Sequence, residues 1–290
     1  MVNRGAILLL AAAGACAALF GVLLLAAYGS SAARYVDATS LLGFVAVEPK
    51  GGSLAGRIGH LGDPPQVALI GALLAGIALL RGRPRVAAAV VVLIGVTSVS
   101  SQALKVLLGY PRYEGTIAGA HVSPEAFPSG HSTAAMALAL SLVLVSPSRL
   151  RPLAALVGTG FALSVAFSVI ALGWHFPSDA VGGFLLASGW ALVLMAALAV
   201  LDERLPARTA RTKVAASVRI AVDRVAAVGL LAAAGAGVLT LALAALVLAR
   251  GPGGLMGVAE RHTGLVVVAP SVALAAVALL GGVALLSRRR

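Results

Sequence analysis

Eight apolar stretches, separated by short polar or proline-bearing turns, run along the chain at residues 6–28, 66–80, 86–108, 129–145, 152–174, 177–201, 225–248 and 264–286. Each is near the roughly 20 residues that an α-helix needs to cross a hydrocarbon core; the second and fourth are shortest and have room for another turn at their ends. None alternates with the period of two that marks a half-buried strand. The pattern predicts an all-α, polytopic membrane helix bundle with about eight transmembrane helices. The first stretch follows Arg4, and its apolar core of about 22 residues is too long for a signal-peptide core, so an uncleaved anchor is expected. Residues 29–65 form a long connection rich in Gly and Ser, in which a short interfacial helix is expected near residues 40–47. A basic segment at 202–224 divides the chain into a six-helix core (1–201), a linker (202–224) and two further transmembrane helices (225–290). No internal repeat is visible.

Composition supports this reading. The chain of 290 residues is 60% hydrophobic and 11% charged, with a mean hydropathy of +1.02. A soluble domain of that size has nowhere to hide so much apolar surface. The lone cysteine, Cys16, lies in the first apolar stretch, which excludes a disulfide framework and a thiolate metal site. The net charge of +12 changes meaning once the spans are placed. With a cytoplasmic N-terminus, the inner segments carry fifteen of the 22 basic residues and the outer segments seven. That bias puts both termini in the cytoplasm of a multi-pass cell-membrane protein. The basic residues of the 202–224 linker read as the same retention signal, so a nucleic-acid partner is not expected.

Three polar clusters interrupt the apolar pattern. The first runs from Lys105 to Arg112, at the end of the third stretch. The second is Pro128-Ser129-Gly130-His131, opening the fourth. The third is Gly173-Trp174-His175-Phe176-Pro177-Ser178-Asp179, between the fifth and sixth. A full return across the membrane separates the third from the others, yet the charge-derived topology puts all three on the extracytoplasmic face.

The residue types suit one chemistry. Pro128 and Ser129 favour a helix start, with Ser129 as N-cap and Gly130 allowing close approach to the backbone. Free N–H groups and the positive dipole end there attract an anion. Lys105 and Arg112 add positive charge, the arginine as a fork and the lysine as a point charge. Asp179 can hold the His175 imidazole in one tautomer and raise its nucleophilicity, while His131 is a candidate acid. Two histidines, one carboxylate, two cations and a helix N-terminus describe phosphoryl transfer through a phosphohistidine better than metal-assisted hydrolysis. The surrounding cations argue against a metal on His131, His175 and Asp179, and no cofactor is expected. Each cluster also has a plainer reading: interfacial cations, a helix cap, and a hydrogen bond closing a turn.

At these residues the chain resembles the type 2 phosphatidic-acid phosphatase family, whose pattern is K-x6-R-P, then PSGH, then S-R-x5-H-x3-D. Lys105 and Arg112 fit the first motif, with Tyr113 in place of its proline. Pro128 to His131 match the second in full. Ser168, His175 and Asp179 fit the third, but Val169 stands where that motif has arginine. The resemblance covers roughly residues 61–201. It implies a six-helix bundle with His175 as nucleophile, His131 as acid, and Lys105, Arg112, Ser129 and Gly130 as the phosphate cradle. The lost arginine removes charge-assisted hydrogen bonds of about 1.5–3 kcal/mol unless Arg57, Arg261 or His121 replaces it.

The expected function is hydrolysis or transfer of a lipid phosphate or pyrophosphate, polyprenyl or glycerolipid, with membrane lipids around the protein. A lipid-phosphate-binding scaffold is the second reading, favoured by Val169. A transporter is the third, disfavoured because no charged residue falls near the middle of a span. The last two helices supply packing surface or a homo-oligomer contact. The topology is open to direct test. An impermeant thiol reagent should label Ala118→Cys in intact cells; protection there, with an accessible C-terminus, reverses the map.

Overall fold

The computed structural model describes residues 4–47, 54–112, 120–205, 217–218, 220–221, 223–224, 230 and 263–288. Its principal helices are α1 (Arg4–Gly29), α2 (Ser31–Val47), α3 (Leu54–Gly59), α4 (Pro64–Leu80), α5 (Pro84–Leu107), α6 (Gly130–Val145), α7 (Arg151–Ala171), α8 (Pro177–Arg204) and α9 (Thr263–Arg288). A 3-10 turn at His60–Gly62 joins α3 to α4. No strand occurs among the described residues. Five helices are long and apolar enough to cross a membrane: α1, α5, α7, α8 and the Val266–Ser287 part of α9. A sixth candidate combines α3, the 3-10 turn and α4, bent by 62°.

Seven of the eight predicted stretches thus coincide with helices. The stretch 225–248 lies, apart from Leu230, outside the described residues. The expected short helix near 40–47 is instead the 17-residue α2, which begins at Ser31. The Ser30 hydroxyl accepts the Ala33 N–H at 3.2 Å, an N-cap that starts the helix a turn and more ahead of its apolar end.

At the centre stands α6. Twelve of its 16 residues are buried, so it is enclosed by protein on every side, and it packs against α4, α5, α7, α8 and α9. Its interior faces carry small residues that allow close approach. A Cβ at Gly158 of α7 would come within 3.0 Å of the Ala139 Cβ. At Gly183 of α8 a Cβ would stand 2.7 Å from Thr133 Oγ1 and 2.8 Å from Ser129 O and Thr133 N. The neighbouring Gly182 lies against the Phe127 ring, 2.8 Å from where its Cβ would be.

Both ends of α6 are tied. At the start, the Ser129 hydroxyl accepts the Ser132 N–H at 3.3 Å, as its expected N-cap role requires. At the finish, Arg83 Nη1 donates to Leu144 O at 2.9 Å and Arg81 Nη1 donates to Val145 O. Cations on the last carbonyls of a helix complement its negative end. Two arginines that the charge bias assigns to the inner face therefore also fix the central helix. The C-terminal α9 packs on α2, α7 and α8, burying Val272, Ala276, Leu280 and Val283. Ser40 Oγ of α2 donates to Gly264 O at 3.1 Å.

The α6–α8 seam makes a prediction. Gly183→Ala should destabilise the protein by about 1–3 kcal/mol, because backbone atoms on the facing helix cannot yield to a methyl group. Gly160→Ala, with nothing within 4 Å of its Cβ position, serves as the control. Thermal unfolding in detergent should separate the two; equal melting temperatures would show that the seam is loose.

Candidate active site

The three clusters meet above the start of α6. Ser129 N–H donates to Asp179 C=O at 3.0 Å, so the second and third clusters are joined through their backbones. Pro177 opens α8 at its first position, and Asp179 Oδ2 accepts the Phe176 N–H at 2.8 Å, capping that helix. Lys105 lies in the last turn of α5, with Nζ 3.9 Å from where a Gly130 Cβ would be.

A cavity of about 260 Å³ opens here between α4, α5 and α6. Asp63, Lys105, Gly130 and His131 line its polar end, while Val67 and Ile94 line it at the depth of the spans. The His131 and His175 rings meet edge-on, with centroids 6.1 Å apart and ring planes inclined by 61°. His131 is partly exposed and His175 is buried.

The carboxylate expected to orient His175 is close but committed elsewhere. Asp179 Oδ2 lies 3.6 Å from His175 Nδ1, beyond hydrogen-bond length, and that nitrogen is buried without a hydrogen-bond partner. Asp179 Oδ1 instead receives Arg112 Nη2. Arg112 also donates to Ser178 Oγ at 3.0 Å and to Asp37 Oδ2 at 3.4 Å, and it stacks on Phe176 with 4.5 Å to the ring centroid. Its side chain is only 4% exposed. Arg112 therefore joins α2 to the start of α8 and turns no free face to the cavity.

Ser129 also points inward. It is fully buried, its hydroxyl caps α6 and its N–H is taken by Asp179. Of the four expected cradle residues, Lys105 and Gly130 border the cavity, whereas Arg112 and Ser129 support it from behind.

Val169, at the motif arginine position, is fully buried beneath α3, with Cγ1 3.6 Å from where a Gly59 Cβ would be. A guanidinium there needs α3 to move. Of the three possible substitutes, Arg57 and His121 are exposed at the surface, and Arg261 lies outside the described residues. No group of three or more His, Cys, Asp or Glu side chains among the described residues is arranged to hold a metal ion.

Four site residues were not foreseen: Asp37, His60, Asp63 and Ser178. Asp63 Oδ1 lies 2.9 Å from His131 Nε2, and Asp63 Oδ2 lies 2.8 Å from His60 Nδ1. Desolvation opposes ionisation of Asp63, but the hydrogen bonds from both histidines prevail and hold its carboxyl below the ordinary range. Asp37 Oδ1 accepts the Ser178 N–H at 3.1 Å, and Asp37 Oδ2 accepts the Ser178 hydroxyl. The available signal was scarcity: only ten acidic residues occur in the chain, and a carboxylate in so apolar a sequence needs a partner.

Residues 85–202 match the PAP2 superfamily. Among solved structures, the chain is similar to a transmembrane PAP2 type phosphatidylglycerolphosphate phosphatase from Bacillus subtilis, at 22% identity and a TM-score of 0.49. That match covers 68% of this chain and 98% of the other. Comparison with curated proteins gives no match.

The Asp37 environment generates a pH prediction. Burial, reinforced by the charge of Asp179, pushes the Asp37 carboxyl up to about 6, against the pull of Ser178 and Arg112. A raised carboxyl pKa means that the folded state holds the proton more tightly than the unfolded chain, where the value is about 3.9. The resulting stability is complete below about pH 4 and is lost as pH rises through about 6. Asp37→Asn cannot ionise, so melting temperatures measured from pH 4 to 7 should fall less steeply for this variant than for wild type. Parallel curves would contradict the assignment.

Proposed function

From the match of residues 85–202 to the PAP2 superfamily, we propose that the protein is a membrane phosphatase or phosphotransferase that acts on a lipid phosphate or pyrophosphate, polyprenyl or glycerolipid, through a phosphohistidine. The observation that carries this reading is the pair of neighbouring imidazoles, with centroids 6.1 Å apart, of which His131 lines a cavity bordered by Lys105 and the N-terminus of α6. The apolar wall of Val67 and Ile94 leaves the lipid tail at bilayer depth while the headgroup meets the polar end.

In this mechanism, Nε2 of His175 forms a bond to phosphorus as the bond from phosphorus to the lipid oxygen breaks. His131 gives its proton to the departing oxygen, which otherwise leaves as an alkoxide. Asp179 draws toward Nδ1–H of His175, closing the present 3.6 Å to hydrogen-bond length and stabilising the charge that forms on the ring. Water then attacks phosphorus, returns a proton to His131 and releases inorganic phosphate and free His175. Lys105 and the first N–H groups of α6 hold the equatorial oxygens through both steps. Arg112 acts from behind by fixing Asp179. In the cell membrane, the site opens to the extracytoplasmic side and both termini are cytoplasmic.

A lipid-phosphate-binding scaffold is the second reading. The buried Val169 and the neutralised Arg112 favour it, since both reduce the charge offered to a phosphate.

The two readings part at the covalent step. With a radiolabelled lipid phosphate, wild type should trap acid-labile, base-stable label, and orthovanadate should inhibit turnover. His175→Ala should lose turnover by at least about 10³-fold while still binding the lipid phosphate, because Lys105 and the α6 amides remain. Asp179→Asn should lose less, since the nucleophile stays in place. Label persisting on His175→Ala would reassign the nucleophile. Undiminished turnover by that variant would leave only the scaffold reading.

A further inference from the structure

Asp63 occupies the cap position of α4, immediately before Pro64 and Pro65, where an aspartate is read as an N-cap. Its carboxylate makes no cap hydrogen bond. Pro64 and Pro65 have no N–H to offer, which leaves Gln66 as the first amide of α4 able to compete for the carboxylate. The Asp63 oxygens bridge two histidines instead, His60 on one side and His131 on the other. The approach depends on Gly62, where a Cβ would lie 2.9 Å from His131 Cβ and 3.0 Å from its Cα. The 62° bend between α3 with its 3-10 turn and α4 places the carboxylate at the mouth of the cavity.

We propose that Asp63 is the positioning residue for the acid His131, gripping Nε2–H so that Nδ1 is the nitrogen free to exchange a proton with the leaving lipid oxygen, while His60 holds the far side of the carboxylate. The inference rests on the phosphatase reading and names a residue outside the motifs that carry it. Burial of His131, together with the groups around it, explains why such a residue is needed. Lys105 approaches from α5, His175 from the turn before α8, and the Trp174 ring lies 5.7 Å away. Burial and a positive neighbour such as Lys105 both drive a proton off an imidazole, and an acid that has lost its proton cannot assist departure of an alkoxide. Asp63 is the carboxylate that faces His131 among the described residues, and it offsets the charge of Lys105. His60 is more exposed than His131 and packs against Trp174 with ring centroids 5.9 Å apart, so it steadies the carboxylate from the solvent side.

The test uses the full-length protein in lipid nanodiscs, with a long-chain alkyl phosphate as poor leaving group and p-nitrophenyl phosphate as good one. Asp63→Asn should lower kcat for the alkyl phosphate by about 10²-fold and change KM little, with a much smaller loss for the nitrophenyl ester, which needs no proton. The alkaline limb of its rate profile should move to lower pH. Asp63→Glu should recover part of the loss, and His60→Gln should shift both readouts in the same direction by less. Equal loss on both substrates with an unmoved profile would show a purely structural role and overturn the proposal. A second readout does not depend on turnover: isotope-labelled imidazole NMR, with His131 assigned by its loss in His131→Gln. The His131 titration should move to lower pH in Asp63→Asn; an unmoved titration overturns the pairing whatever the turnover. Wild type that releases phosphate from neither substrate, with that shift intact, overturns the phosphatase reading and supports the Asp63–His131 pairing.

Discussion

The site depends on one backbone hydrogen bond, from Ser129 N–H to Asp179 C=O at 3.0 Å. It ties the loop entering α6 to the first turn of α8, so residues 50 positions apart in the chain share one small volume. Such a bond exists only if the two backbones come close, and closeness is the work of Gly182 and Gly183. With side chains there, Thr133 and Phe127 would be pushed off α8, and His131 would part from His175. In a bilayer no water is at hand to accept a broken backbone bond, which makes the seam stiffer than its single hydrogen bond suggests.

Around that seam three carboxylates each have defined partners. Asp179 holds Arg112 and the Phe176 N–H, Asp37 holds Ser178 and reaches Arg112, and Asp63 holds the two histidines. Arg112 is consequently spent on architecture: with two carboxylates and an aromatic face around it, little of its charge is left for an incoming anion. Lys105 and the histidines supply what remains. Val169 is consistent with this economy, because the volume that an arginine side chain would need is filled by α3.

Much of this was legible in the sequence. The apolar runs mark seven of the described helices, and Ser129 and Pro177 mark two helix starts to the residue. The convergence of the three clusters also followed from charge placement. What stayed hidden depends on long-range contacts. Asp37 sits in a stretch, Ser31 to Thr39, that looks too polar for a packed helix, and only its tertiary partners Ser178 and Arg112 explain its burial. Asp63 looks like a helix cap because Asp-Pro-Pro is a cap pattern, and nothing local shows that its carboxylate turns outward. The aspartate partners of Arg112 stayed hidden for a similar reason: charge complementarity to phosphate is visible along a chain, but an ion pair with a distant aspartate is not.

Helix length has its own consequence. At 16 residues α6 spans about 24 Å, less than the roughly 30 Å of a hydrocarbon core, whereas the 28 residues of α8 reach about 42 Å. A helix facing lipid would answer such a shortfall by thinning the bilayer or shifting within it. Because its neighbours screen α6 from lipid, they meet the membrane in its place and can tilt to suit its thickness. The level at which the histidines and the cavity lie is thereby set by protein packing rather than by the surrounding lipid, and it stays fixed in the molecule when the membrane grows thicker or thinner.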